Sequence, residues 1–339
     1  MRVFQYQDEW GIANLRLAVR PDPQPGPGEV LVRMRASSLN YRDLFVADRG
    51  YGSYTGTLPL IPLSDGVGEV AAVGAGVHRV VPGDRVCPTF FQHWIGGEPD
   101  LERLTGSLGG PIDGTMAEIM CLSEQGVVKV PAYLSDVEAA TLPCAALTAW
   151  SALTGPSATK PGDRVLIQGC GGVALFAVRF AKLLGAHVTV ISSSDERIAR
   201  AKALGADAGV NYRAVPEWAK ATRDITAGRG YDLILEVGGE KTLPQSLRCI
   251  RPGGTVAMIG VLSGGAMAAS IGLIVTRQVR LQGVTVGHRD GFESMLRAIS
   301  LHRMKPQIDR VFAFEELKEA LAYLKSGAQF GKVCVEGSR

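Results

Sequence analysis

The segment Gln168-Gly169-Cys170-Gly171-Gly172-Val173-Ala174 has the residue types and spacing most directly suited to chemistry. Gly169 allows a tight turn, Gly171 lets a backbone come close to a bulky anion, and Ala174 keeps a helix near the strand before it. Gly172 and Val173 open that helix, whose first N–H groups and positive dipole end attract phosphate. The G-x-G-x-x-A spacing therefore reads as a pyrophosphate cradle, the fingerprint of a dinucleotide site. The alternative is a close-packed turn without a ligand.

The elements that must position this turn are legible around it. Arg164-Val165-Leu166-Ile167 reads as a strand entering the turn. Val173, Phe176, Ala177, Phe180, Ala181 and Leu184 recur at helical spacing, and Val188-Thr189-Val190-Ile191 reads as the next strand. The alternation continues, with strands expected at 164–168, 187–191, 208–211, 232–236, 255–260 and 279–285. Helices are expected at 172–184, 195–203, 215–226 and 241–249. This is the pattern of an α/β, doubly wound parallel sheet, assigned to 143–286. Residues 1–142 read as mostly β, with short apolar runs between turn signals. Pro82-Gly83-Asp84 and Pro161-Gly162-Asp163 each read as a type II turn feeding a strand. Residues 287–339 carry two helical segments, near 291–303 and 315–326. A final strand, Gly331-Lys332-Val333-Cys334-Val335, is expected to return to the first domain. The long stretch 88–115, with Phe90, Phe91 and Trp94, reads either as a functional loop or as a surface excursion; His93 in it reads as a surface residue.

Bulk properties narrow the classes. The chain has 339 residues, 46% hydrophobic and 20% charged, with 42 glycines, a composition for a globular protein of about two domains. A net charge of +3 gives no electrostatic case for nucleic acid or an anionic membrane surface. The six cysteines lack C-x-x-C spacing, which argues against a disulfide framework and a structural zinc. No apolar signal core and no run of about 20 apolar residues is present. A cytoplasmic setting is expected.

The chain resembles the medium-chain dehydrogenase/reductase superfamily, on its zinc-free, quinone oxidoreductase-like or zinc-type alcohol dehydrogenase-like side. The markers, in order, are Pro25-Gly26-Pro27-Gly28-Glu29-Val30, Ser38-Leu39-Asn40-Tyr41-Arg42-Asp43, Gly66-Val67-Gly68-Glu69-Val70 and Pro82-Gly83-Asp84-Arg85-Val86. Ala139-Ala140-Thr141-Leu142-Pro143-Cys144-Ala145, Leu147-Thr148-Ala149-Trp150, the glycine turn, Asn211-Tyr212-Arg213 and Phe330-Gly331-Lys332-Val333 follow. The resemblance covers nearly the whole chain. It implies a Rossmann doubly wound sheet plus a GroES-like, mostly-β catalytic domain.

The resemblance also implies site positions. Where zinc-dependent relatives place metal ligands, this chain has Asn40, Ser64 and Cys144, of which Asn and Ser are poor zinc ligands. No metal is expected, and Cys144 reads as a small packed residue. Asp43 and Asp65 stand at what look like supporting acidic positions. For the cofactor, enzymes of this fold that use NAD carry an acid at the end of the second strand. Here Ser192 stands at the acidic position, followed by Ser193 and Ser194, and this serine cluster serves a 2′-phosphate, caps the next helix, or both. Arg197 and Tyr212 resemble the cation and the adenine-side tyrosine of NADP(H)-preferring relatives, so NADP(H) is expected. Thr148 resembles a nicotinamide-end contact. Val261, Leu262, Ser263, Val284, Thr285 and Val286 are expected to line the nicotinamide pocket, and Lys332 to reach the phosphate side.

The expected catalytic groups are Asn40 as a donor to a developing oxyanion, Tyr41 as proton donor, Arg42 and Tyr51. Arg42 reads either as a charge in the site or as half of a structural pair with Asp43 or Asp65. Tyr51 and Tyr54 lie in a glycine-rich loop that either covers the substrate or simply packs. Without a metal, hydride transfer to the β-carbon of an enone or to a quinone is favoured, because a delocalised oxyanion needs only modest donors. The leading reading is an NADPH-dependent reductase of electrophilic alkenes or quinones. A zinc-independent alcohol dehydrogenase or carbonyl reductase and a catalytically silent nucleotide-binding protein are the alternatives. A homodimer joined through the strand at 279–285 is implied by the resemblance.

Overall fold

The computed structural model describes residues 1–266 and 269–337. The chain divides into two compact units, Met1–Leu147 with Val286–Arg339, and Thr148–Thr285. The first unit thus keeps five residues more than the boundary expected at 142/143. The reason is local. Leu142–Ala146 forms a π-helical turn, and the Cys144 N–H donates to Asp65 of the first unit at 3.1 Å.

The second unit is a six-stranded, all-parallel sheet. Its spatial order is Ala208–Asn211, His187–Ser192, Arg164–Gln168, Tyr231–Glu236, Ile250–Met258 and Arg280–Gly283. The strand order reverses beside Arg164–Gln168, the switch point at which such sheets open a crevice. The central strands are apolar on both faces, as buried parallel strands must be. Leu166, Ile191, Ile234 and Val256 pack with Leu243 and Leu247 of the helix Leu243–Cys249. The helix Gly172–Leu183 follows the glycine turn and buries Ala174, Phe176, Ala177, Phe180 and Ala181.

The first unit is built on a seven-stranded sheet. Ile308–Phe312, Lys332–Glu336, Glu29–Ser38, Asp65–Val73, Arg85–Pro88 and Val127–Lys129 run side by side, and Ile119–Ser123 also pairs with Glu29–Ser38. The last strand lies in the first unit, as expected, and there it pairs antiparallel with Glu29–Ser38. Gly83 and Gly162 have φ of +91° and +86°, the value a type II turn requires at its third residue. Stretch 88–115 is anchored in the unit at both ends, with Phe90 and Phe91 buried, while residues 93–105 run over the surface. Gly114 N–H donates to Ile61 O and Thr115 N–H to Leu63 O. Among the described residues no helix is long and apolar enough to cross a membrane.

Candidate active site and cofactor site

Three strand ends of the first unit converge on one buried polar cluster. Cys334 faces Ser38 across the last strand pair, so two residues further along Lys332 comes opposite Asn40. Ser38 also faces Asp65 across its other neighbour. Antiparallel register thus brings Asn40, Ser64, Asp65 and Lys332 together from three distant parts of the chain. The Ser64 hydroxyl donates to Asp65 Oδ1 at 2.8 Å. Lys332 Nζ donates to Leu39 O at 2.6 Å and to Asn40 Oδ1 at 2.5 Å, and lies 4.0 Å from Asp65 Oδ2. Asn40 Nδ2 faces Ser64 Oγ at 3.5 Å and also bonds toward the Asp65 carboxyl. Burial pushes the Asp65 carboxyl above the usual carboxylate range, against the opposing pull of Lys332.

Lys332 is therefore not placed as expected. It is 3% exposed, and its ammonium is committed to the Asn40 cluster instead of a cofactor phosphate. Its position in the register, not its place near the C-terminus, decides this.

Asn40 precedes the helix Tyr41–Ala47 and its N–H donates to Asp43 Oδ2 at 2.7 Å. Burial raises the Asp43 carboxyl to about 6, opposed by Arg42 and the Asn40 bond. Arg42 is engaged by a loop and also faces the Tyr51 hydroxyl. Its guanidinium donates to Leu108 O at 2.9 Å and Gly110 O at 3.0 Å and stacks 4.7 Å from the Phe90 ring centre, with Asp43 at 3.9 Å. It pins the loop 88–115 to the turn that presents Asn40. Tyr41 and Tyr51, 44% and 43% exposed, flank Phe45 with ring centres 5.7 and 5.8 Å away. They form an open aromatic rim. Tyr54 is 81% exposed, and His93 is exposed as expected.

A catalytic zinc does not fit this donor set. The Asn40 oxygen already faces an ammonium, the Ser64 hydroxyl donates to a carboxylate, and burial holds the Cys144 thiol well above its usual pKa, away from the thiolate that binds metal. Among the described residues no group of three or more His, Cys, Asp or Glu is arranged to hold a metal ion.

In the second unit the glycine turn fits a dinucleotide. Gly169 has φ +79°, a left-handed conformation that favours glycine. Gly171 caps the helix Gly172–Leu183, and a Cβ built on it meets nothing within 4 Å. That is the open approach a pyrophosphate needs at a helix N-terminus. Val173 is half-buried in the first helical turn. At the end of the second strand, Ser192 is buried and its hydroxyl bonds the Cys170 thiol. Ser194 caps the helix Asp195–Ala203 through Arg197 N–H at 3.3 Å. Ser193 and Arg197 are half-buried there. Tyr212 is 40% exposed and tied by its N–H to Ser192 O at 3.0 Å. The structure thus brings Ser193, Arg197 and Tyr212 to one edge, with Ser192 turned inward.

The remaining expected cofactor residues are more dispersed. Thr148 is buried in the helix Leu147–Thr154. Val261 is exposed, while the Ser263 hydroxyl bridges Gly238 O and Lys241 N–H and so braces a turn. Val286 belongs to the first unit, buried, with φ +54°. A β-branched residue in that region marks a strained position.

The sequence reading missed the Ser64–Asp65–Lys332 arrangement and the carboxylate of Glu236. Glu236 is fully buried and accepts from Gln168 Nε2 at 2.6 Å, Ser246 Oγ at 2.5 Å, Gly238 N–H at 2.9 Å, Gly239 N–H at 3.0 Å and the Thr242 hydroxyl. A glutamate directly after the apolar run Leu233-Ile234-Leu235, at the end of the strand Tyr231–Glu236, was the available signal.

Comparisons with known proteins agree with this architecture. The family model described as alcohol dehydrogenase GroES-like domain matches residues 26–132, and that described as zinc-binding dehydrogenase matches 172–300. A zinc-type alcohol dehydrogenase-like protein of Schizosaccharomyces pombe is 43% identical over 316 residues, 91% of each chain. A solved NAD-dependent alcohol dehydrogenase is 32% identical, with TM-score 0.91 and all of both chains covered. A 2-octenoyl-CoA carboxylase reductase, solved with NADP and 2-octenoyl-CoA, is 26% identical with TM-score 0.88. That match covers 99% of this chain and 87% of the other.

Proposed function

The chain belongs to the medium-chain dehydrogenase/reductase superfamily and is an oxidoreductase of the alcohol dehydrogenase-like type, and from that premise we propose that it is an NADPH-dependent, zinc-independent reductase of electrophilic alkenes or quinones. The carrying observation is the Asn40 cluster. Where three metal ligands would be needed, the chain has a carboxamide bound to a buried ammonium, a hydroxyl that donates to a carboxyl, and a thiol that burial keeps protonated.

The nicotinamide, when bound, supplies hydride. Hydride addition at the β-carbon of an enone leaves negative charge on the carbonyl oxygen, shared over the enolate. Asn40 Nδ2–H is the donor for that oxygen, a role that typically contributes about 10²–10³ in rate. Tyr41, exposed at the start of its helix, supplies the proton that completes reduction at the α-carbon, directly or through water. The open rim of Tyr41, Phe45 and Tyr51 suits a planar, conjugated substrate.

Ser193, Arg197 and Tyr212 support NADP(H), because a strand end without a carboxylate leaves a 2′-phosphate unopposed and a guanidinium and hydroxyl pair with it. The enoyl-CoA relative solved with NADP supports the same reading; the NAD-dependent alcohol dehydrogenase supports the alternative of alcohol oxidation. We further propose a cytoplasmic homodimer. All six cysteines are free, and the sheet's edge strand Arg280–Gly283 is largely exposed, an edge that pairing would protect.

Titration of metal-quantified protein with NADPH and NADH, followed by an enone, quinone and alcohol panel, tests the reading. NADPH binding at least tenfold tighter, with saturated ketone as product, is the expected result. Equal NADH binding overturns the cofactor assignment, and activity confined to alcohols overturns the substrate class.

A further inference from the structure

We infer that Lys332 is a positioning residue: its buried ammonium fixes the orientation of the Asn40 carboxamide and strengthens its N–H as a donor. The inference rests on the reductase reading for its kinetic consequence, but not for its geometry.

An ammonium carries three donors and no acceptor, so it can face only the oxygen of a carboxamide. With Lys332 Nζ 2.5 Å from Asn40 Oδ1, the amide cannot flip, and Nδ2 must point the other way. That side holds Ser64 Oγ at 3.5 Å, at the outer limit of a hydrogen bond, and the Asp65 carboxyl. The amide is thus held in direction: of its two N–H groups one goes to the Asp65 carboxyl, and the other, toward Ser64, is loosely engaged and open to an arriving substrate oxygen. The ammonium itself is held by Leu39 O at 2.6 Å and balanced by Asp65 at 4.0 Å. At 3% and 0% side-chain exposure for Lys332 and Asp65, water does not screen the pair. A charge-assisted bond to Oδ1 draws electron density from the amide and makes its N–H groups better donors. A lone asparagine would supply neither a fixed direction nor this polarisation. The cation that assists the oxyanion is therefore covalently part of the last strand and acts through Asn40.

The chain contains only three asparagines, Asn14, Asn40 and Asn211, so asparagine-selective ¹⁵N labelling gives three side-chain amide pairs. The Asn40 pair is identified by its loss in Asn40→Leu. Lys332→Met should shift that pair and speed its exchange with solvent about tenfold or more, since a freed amide samples both orientations. An unmoved Asn40 pair overturns the inference whatever the enzyme reduces. In the kinetic arm, Lys332→Met and Asn40→Leu should each lower kcat for an enone by about 10²-fold. The double variant should be no slower than the slower single one, as for groups acting as a unit, and NADPH affinity should stay within about twofold. Multiplying losses, or a tenfold loss of NADPH affinity with kcat retained, overturn it; the latter would make Lys332 a phosphate ligand after all. If the wild-type protein reduces no enone, the reductase reading fails while the amide arm still decides the Lys332–Asn40 relationship. Should Lys332→Met not fold, Lys332→Gln keeps a donor toward Oδ1 without the charge. It should shift the Asn40 pair in the same direction by less, and no shift overturns the inference.

Discussion

Gln168, the residue before the glycine turn, donates its side-chain amide to the buried carboxylate of Glu236 at 2.6 Å. Its oxygen in turn accepts from Val237 N–H at 3.2 Å and Gly238 N–H at 3.3 Å. One reciprocal side-chain link therefore ties the end of the first strand of the parallel sheet to the end of the fourth, across the switch point where a dinucleotide approaches. Glu236→Leu should strand five donors, two of them backbone N–H groups, and cost about 3–5 kcal/mol. Glu236→Gln should cost about 1–3 kcal/mol, because its amide group must face that of Gln168. Thermal unfolding reads both, and dinucleotide affinity should fall in the milder variant even where it remains folded.

The two glycines of the turn should separate stability from binding. Gly169→Ala places a Cβ at φ +79° and should destabilise the protein by about 1–2 kcal/mol. Gly171→Ala meets nothing in the folded chain, so stability should change by less than about 0.5 kcal/mol. NADPH affinity should nevertheless fall tenfold or more, since the added methyl occupies the pyrophosphate approach. Unaltered affinity in Gly171→Ala would place the cofactor elsewhere.

Arg42 should behave as a clamp. Arg42→Lys loses the paired bonds to Leu108 and Gly110 and the stacking on Phe90, because an ammonium lacks the planar fork. A loss of about 2–3 kcal/mol in stability is expected. Proteolysis within 93–106 should quicken, with KM for substrate rising more than kcat falls. A drop in kcat alone, with an unchanged digestion pattern, would return Arg42 to the chemistry.

Asp43 sets a pH dependence whose sign follows from burial. Its carboxyl is raised to about 6, so the native state binds this proton more tightly than the unfolded chain. The associated stability is fully present below the ordinary carboxyl value of about 4 and is lost as pH rises through about 6. The amount is on the order of 3 kcal/mol. Asp43→Asn keeps an acceptor for the Asn40 N–H and lacks the titration. The Tm of wild type minus that of Asp43→Asn should therefore fall between pH 4 and pH 7; a flat difference would mean that Asp43 is charged throughout.

How much was legible in the sequence depended on the range of the interaction. The parallel strands, their helices and the glycine turn follow from periodicity within about thirty residues, and Gly83 and Gly162 adopt the turn that Pro-Gly-Asp specifies. The Asn40 cluster does not, because Lys332 and Asn40 lie 292 residues apart and meet only through strand register. A lysine in Phe330-Gly331-Lys332-Val333 reads as a cation for the cofactor phosphate until its opposite residue is known. For Arg42 the pairing with Asp43 was legible from residue type, whereas its bonds to the backbone carbonyls of Leu108 and Gly110 leave no trace there. Ser192 was placed correctly on its strand, yet one residue of alternation turns its hydroxyl inward to Cys170 and leaves Ser193 at the edge.

Metal-free enone reduction is decided by where the hydride goes. Metal-depleted protein is given NADPH carrying deuterium at the transferred position, together with a cyclic enone, and the product is examined by NMR and mass spectrometry. The expected product is saturated ketone with deuterium on the former β-carbon, at a rate unchanged by added zinc. Allylic alcohol with deuterium on the former carbonyl carbon, or turnover that appears only when zinc is restored, would contradict it.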